Sequence, residues 1–210
     1  MILLKGLFIV IGLLALTAVS ISIFVISTEN QQASKNQKQL DEILVAKQPP
    51  PRTAVIVFSR SGNTAVAGKH FAKKYNADFY RLESPDYKLG LKGWINALLD
   101  ARKNESVITP ATIELKQYET IFLGSPIWLY SPAPPIWQFA KNNRFDGQQV
   151  ILFNSYNSQF KQEFIDDFEN LVVQKGSVNF KHIAVQRGRM GQQITTEQMI
   201  QLFEEQLERP

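Results

Sequence analysis

The chain of 210 residues contains no cysteine, which excludes disulfides, thiolate nucleophiles and cysteine-held zinc or iron–sulfur centres. Histidine is almost as scarce. His70 and His182 stand far apart, without spaced carboxylates that would resemble a metal motif. Both read as structural histidines, and no metal site is expected. Charge is short in a different way: the first 27 residues hold a single charged side chain, Lys5, and no block of five or six basic residues occurs anywhere. The net charge of +4 is spread thinly, with 19 Lys/Arg against 16 Asp/Glu over residues 52–210. Such a surface gives no footprint for nucleic acid, and none is expected as a partner. No nucleophile or acid–base pair stands out. No catalytic residue is assigned, and any chemistry has to come from a cofactor.

What the chain does have begins with Gly6 to Ser27, GLFIVIGLLALTAVSISIFVIS, a run of 22 residues without a charge. At 1.5 Å per residue a helix of that length spans a hydrocarbon core of about 30 Å. A cleaved signal peptide is the competing reading, but its apolar region runs about 7–15 residues and ends in a small-residue cleavage site. Here Ala18-Val19-Ser20 lies inside the run rather than after it, so the reading is a single-pass anchor contacting the bilayer through residues 6–27. Residues 28–51 are polar and end in Pro49-Pro50-Pro51, which favours an extended, semi-rigid spacer. Leu40, Ile43, Leu44 and Ala46 would suit one short amphipathic helix there. The expected organisation is an anchor over 1–27, a linker over 28–51 and a folded domain over 52–210. Lys35, Lys38 and Lys47 after the anchor, against Lys5 before it, lean toward a cytoplasmic domain.

From Thr53 onward short apolar runs alternate with helical stretches. Thr53–Phe58 is β-branched and apolar throughout, as in a strand buried on both faces. Ala67, Phe71 and Tyr75 keep the four-residue step of a helix face. Further strands are expected at 77–82, 120–124, 149–153 and 178–185, and helices at 92–102, 135–141, 160–173 and 195–207. Thr195 with Gln198 has the form of a capping box. Five strands alternating with helices imply an α/β fold, a parallel sheet wrapped on both faces.

In such a sheet a ligand sits beyond the carboxyl ends of the strands, where the strand order reverses. The loop after the first strand reads Ser59-Arg60-Ser61-Gly62-Asn63-Thr64. Hydroxyls and a flexible glycine there wrap backbone N–H groups at a helix N-terminus, which suits a phosphate. The loop lacks the lysine of a Walker sequence and the three glycines of a dinucleotide fingerprint. A mononucleotide monophosphate fits it best. Arg60 would either neutralise the phosphate or point to solvent, and Arg187-Gly188-Arg189 reads as a charged surface turn.

At this point the chain resembles the flavodoxin family. Phe58-Ser-Arg-Ser-Gly-Asn-Thr64 matches the family's strand-then-loop motif. Gly124-Ser-Pro-Ile-Trp-Leu-Tyr130, followed by Pro132, Pro134 and Pro135, is similar to its third-strand loop. Pro85-Asp86-Tyr87 and the amphipathic stretch to Glu105 resemble the same branch. The resemblance covers roughly residues 53–207. It implies a three-layer flavodoxin-like fold with a five-stranded parallel sheet of order 2-1-3-4-5, and FMN as cofactor. By the same resemblance Ser59, Ser61, Gly62, Asn63 and Thr64 would bind the FMN phosphate. Pro126, Ile127 and Trp128, with Leu129 and Tyr130 beyond them, would line the isoalloxazine, Trp128 being the stacking residue. The loop expected after the fourth strand, Asn154-Ser155-Tyr156-Asn157, departs from the family in lacking glycine. Tyr156 would either stack on the outer flavin face or fill the pocket.

Three functions stay open on the sequence. One is a tethered FMN-binding electron carrier meeting a redox partner in the membrane. Another is an NAD(P)H-dependent FMN quinone reductase. The third is a cofactor-free interaction module that kept the fold.

Overall fold

A computed structural model describes residues 2–43, 51–189 and 191–209. It begins with one long helix, α1 (Ile2–Glu42). A Rossmann-like alternation follows: β1 (Thr53–Phe58), α2 (Asn63–Lys74), β2 (Asp78–Leu82), a 3₁₀ turn at Pro85–Tyr87 and α3 (Leu91–Asp100). After a long connection come β3 (Thr120–Trp128), β4 (Ser131–Pro132), α4 (Pro134–Asn142) and β5 (Gln149–Tyr156). Helix α5 (Gln162–Gln174), strand β6 (Asn179–Gln186) and helix α6 (Thr196–Glu208) close the chain.

The sheet runs β2-β1-β3-β5-β6, with all four pairings along that path parallel. Among the described residues six strands are present where five were expected. The additional one, β4, has two residues and pairs antiparallel with the end of β3, off the main path. The five long strands among themselves keep the expected order.

Period-two alternation explains why the apolar runs are unbroken. Ala54, Ile56 and Phe58 of β1 face a core shared with Ile136, Phe139 and Phe168 of α4 and α5. Val55 and Val57 face the opposite core, with Phe71 of α2 and Phe203 of α6. Strand β1 is covered on both faces, so every residue from Ala54 to Phe58 is apolar and buried. Gly124 of β3 is required by close approach: a Cβ there would lie 2.1 Å from the Phe153 ring.

Two strands outrun their apolar runs. Strand β3 continues through Ser125, Pro126 and Ile127 to Trp128, and β5 continues through Asn154 and Ser155 to Tyr156. The expected loop at 154–156 is therefore strand, with Asn154 registered against Ser125 on one side and Ala184 on the other. Side-chain pairing makes the polar residues tolerable there. Asn154 is fully buried and donates to the Ser125 carbonyl at 2.8 Å and its hydroxyl at 3.1 Å. With its NH₂ committed, the Asn154 Oδ1 faces His182 Nε2 at 2.9 Å, so that ring nitrogen carries the proton and donates. Burial pushes the His182 imidazole down to about 4. His182 is structural, as its sequence context implied. At the other end, the Thr195–Gln198 capping box forms, each side chain meeting the other's backbone N–H.

The larger departure is at the N-terminus. Within α1, Ile9–Glu42 is long and apolar enough to cross a membrane, with mean hydropathy 2.8 and none of the apolar stretch buried. A signal sequence near an N-terminus passes the same test of length and composition. But the helix does not stop at residue 27. It runs on through the polar stretch to Glu42, so residues 28–42 are helical rather than an extended spacer. The rest of the expected spacer, including Leu44, Ala46, Lys47, Pro49 and Pro50, lies outside the described residues. The polar half of α1 also packs: Leu40 is buried in the core on the α2 and α6 side, and Glu29 and Asn36 are buried against the loop after β1.

Candidate functional site

The carboxyl ends of β1, β3 and β5 surround a cavity of about 240 Å³. It lies where the strand order reverses, since β1 leads outward to β2 on one side and β3 to β5 on the other. The loop after β1 contributes Ser59, Arg60, Ser61, Asn63 and Thr64 to its wall. The end of β3 and the turn beyond contribute Pro126, Ile127, Trp128 and Leu129, and Ser155 and Asn157 come from β5 and its exit. These predicted residues are brought together. Gly62 borders a neighbouring groove instead, and Tyr130, Asn154 and Tyr156 do not line the cavity.

The phosphate-loop chemistry follows from α2. Its N-cap is Gly62 in the left-handed region (φ 85°), with no side chain capping the helix. A non-glycine residue there would be strained, and its Cβ would meet Asn36 Cβ at 2.7 Å. The first N–H groups of an α-helix have no intrahelical acceptor. Here they open toward a hydroxyl set in which buried Thr64 and Ser155 share a hydrogen bond of 2.8 Å. That is a concave donor surface at the positive end of a 12-residue helix, suited to a phosphate.

Arg60 takes neither of the roles foreseen for it. Its guanidinium pairs with the Glu29 carboxylate of α1 and donates to the carbonyls of Tyr87 at 3.2 Å, Lys88 at 3.2 Å and Gly90 at 3.0 Å. It clasps three segments together. Burial pulls the Arg60 guanidinium below its ordinary value and pushes the Glu29 carboxyl above its own, with their mutual attraction opposing both. Desolvation thus outweighs attraction for both partners, which is common for buried pairs.

The cationic residue with bonds to spare is Arg187. It is 4% exposed, lines the cavity, and its Nε has no hydrogen-bond partner among the described residues. Its other contacts are weak: Nη1 to the Met199 sulfur at 3.7 Å and Nη2 to Thr196 Oγ1 at 3.3 Å. Burial lowers its pKa, with Glu197 opposing. A buried, under-partnered guanidinium lining the same cavity as the uncapped end of α2 fits an anion. The sequence reading placed Arg187 in a surface turn. Nothing in Arg-Gly-Arg signals burial, which arises because Arg187 N–H bonds the Tyr156 carbonyl (2.8 Å) and draws the segment inward.

The wall formed by the end of β3 and the turn beyond it is apolar. Trp128 sits edge-on to Phe58 (5.6 Å, 84°) and Tyr87 (5.1 Å, 85°), contacts that fix its indole. Leu129 and Tyr130 form the two-residue turn between β3 and β4, both at positive φ (40° and 82°). Such turns normally take Asn-Gly, so this hairpin holds local strain beside the cavity. The Tyr130 ring turns away from the cavity, toward Lys161 (5.8 Å) and Arg102 (5.9 Å). The Tyr156 ring packs on Phe160 at 5.4 Å, so it neither fills the pocket nor borders it.

Besides Arg187, sequence reasoning missed Gln193 and two further groups of lining residues. Trp94, Ala97 and Leu98 come from α3 and Ala101 from its C-cap, and Glu29 and Gln32 come from α1. Glu29 acts through Arg60, and Gln32 acts through Asn63, whose Oδ1 accepts from Gln32 (2.8 Å) and Asn36 (2.9 Å); Asn36 also donates to the Ser61 carbonyl at 2.6 Å. The available signal was spacing. Residues 29, 32, 36, 40 and 43 keep a helical stripe, but a mostly polar one.

Comparison with known proteins follows the same outline. The sequence model of the flavodoxin family matches residues 52–205. A candidate flavoprotein of Bacteroides uniformis is 20% identical, with TM-score 0.55, covering 73% of this chain and 97% of its own. A second, from Bacteroides eggerthii, is 16% identical with TM-score 0.54, covering 75% and 99%. A flavoprotein of Lactobacillus acidophilus solved in complex with FMN is 19% identical with TM-score 0.51, covering 63% and 93%. At such identities these likenesses carry the fold alone. No curated protein matches the chain.

Proposed function

The chain belongs to the flavodoxin family, and from that premise we propose that it is a membrane-tethered FMN-binding protein of electron transfer. The observation that carries the reading is the pairing of two walls in one cavity. One wall offers uncapped helix N–H groups, the Thr64–Ser155 hydroxyls and the under-partnered Arg187. The other offers the fixed indole of Trp128 with Pro126, Ile127 and Leu129. A phosphate at one end and a flat ring at the other describe FMN, and the Lactobacillus acidophilus relative carries FMN on this fold.

Bound FMN would supply one- or two-electron chemistry, and the chain's own residues bind and tune it. The α2 N-terminus, Thr64 and Arg187 would hold the phosphate. Asn63, with its Oδ1 held by Gln32 and Asn36, keeps its NH₂ free to donate. Trp128 would exclude water from one ring face, and an apolar aromatic there disfavours an electron-rich reduced ring.

The anchor is α1, whose apolar part is uncovered by the domain, with the domain on the cytoplasmic side by the Lys35 and Lys38 excess. The organisation is then an apolar anchor over 1–27, a joining segment over 28–51 whose helical part docks, and the flavodoxin-like domain over 52–210. A carrier needs a partner to take its electrons. FMN-loaded full chain mixed with NADH or NADPH is therefore expected to oxidise the nicotinamide slowly, with or without a quinone. Rapid, quinone-coupled oxidation would overturn the carrier reading in favour of a reductase.

A further inference from the structure

Helix α3 is apolar over more of its surface than one packed face requires. Trp94, Ala97, Leu98 and Ala101 border the cavity. Leu91, Ile95 and Leu99 form an adjoining stripe of four-residue spacing, and Leu99 is 73% exposed. At about 100° per residue the two stripes make one apolar arc over more than half the circumference. A helix apolar on that much of its surface is normally covered. Among the described residues this second stripe is left open, with Leu91 47%, Ile95 41% and Leu99 73% exposed.

Its position says what covers it. Arg60 ties Glu29 of α1 to the carbonyls of Lys88 and of Gly90, the residue at the N-cap of α3. Glu29 lies two residues past Ser27, where the charge-free run of α1 ends. Two residues of helix rise about 3 Å. The start of α3 is thus clasped to α1 at the level where α1 leaves the hydrocarbon. Charge agrees: residues 88–103 hold four Lys/Arg against one Asp. An apolar stripe edged by basic residues is the pattern of a helix lying in an anionic bilayer interface.

We propose that the exposed face of α3, with Leu129 at its rim, lies in the interface of the bilayer that α1 crosses, so that the cofactor cavity opens at the membrane surface. The inference rests on α1 being a retained anchor. A redox partner then reaches the cavity along the membrane plane rather than from bulk water.

The chain lacks cysteine, so single-cysteine labelling is clean. Leu99→Cys and Val178→Cys, at positions 73% and 74% exposed, are compared in the full chain. Each is placed at one chain per nanodisc, in phosphatidylcholine with about a third phosphatidylglycerol, and treated with a membrane-impermeant maleimide. Cys at 99 is expected to react at least about ten-fold more slowly than Cys at 178. Equal rates overturn the proposal. So does protection that appears only with two chains per disc, because a second copy is then the cover. Flavin absorbance is read on the same samples. Protection without flavin overturns the cofactor reading alone, and flavin without protection overturns this docking alone.

Discussion

At the scale of single residues, Arg187 separates ligand binding from folding. A buried cation with an unpaired Nε contributes little to stability, and replacing such a group by an apolar one of similar volume is often neutral or stabilising. Its value lies in an anion it can meet, where a charge-assisted hydrogen bond contributes about 1.5–3 kcal/mol. Arg187→Met is therefore expected to leave the melting temperature of the FMN-free chain unchanged or raised, while weakening FMN binding about 10- to 100-fold. An equal loss of stability and no change in affinity would make Arg187 structural. The contrast with Ser59–Thr64 shows what sequence can report. That loop was legible because hydroxyls and a glycine interrupt an apolar strand just before a helical pattern. Arg187 was not, because an arginine in a turn carries no mark of the burial that tertiary contacts impose. Asn154 was misread for a related reason: a polar residue seemed to end the strand, whereas Ser125 and His182 satisfy it inside the sheet.

At the scale of elements, the polar half of α1 is part of the domain. Its clasp is the Glu29–Arg60 pair, with side chains 4% and 7% exposed. Removing one partner of a buried pair strands the other, at about 3 kcal/mol or more. Glu29→Ala and Arg60→Met are each expected to lower the thermal stability of the full chain in detergent by that order. The double variant should recover most of the loss. Two neutral single variants would show that the clasp does not hold α1. The helix itself was half legible. Its apolar half announces itself by composition, but Glu29, Gln32, Asn36 and Leu40 form a stripe too polar for a hydrophobic pattern to reveal. The five long strands and their helices were legible: β1, β3 and β5 carry unbroken apolar runs because they are covered on both faces, and the mixed edge strands β2 and β6 are set off by the helical stretches around them. Their ends were not, because hydrogen-bond partners across the sheet set them.

At the scale of the whole molecule, α1, the loop after β1 and α3 form one unit. Helix α1 reaches Asn63 through Gln32 and Asn36, and reaches α3 through Arg60 and Gly90. A cofactor at the loop would therefore sit against α1, the helix proposed as the anchor, and the full chain rather than residues 52–210 alone is the proper material for measuring it. The most direct measurement titrates FMN with the purified full chain in detergent, following quenching of flavin fluorescence and the absorption of the isolated complex. The account predicts saturation at one FMN per chain, with flavin bands that remain after removal of free cofactor. A colourless protein that leaves FMN fluorescence unchanged would contradict it.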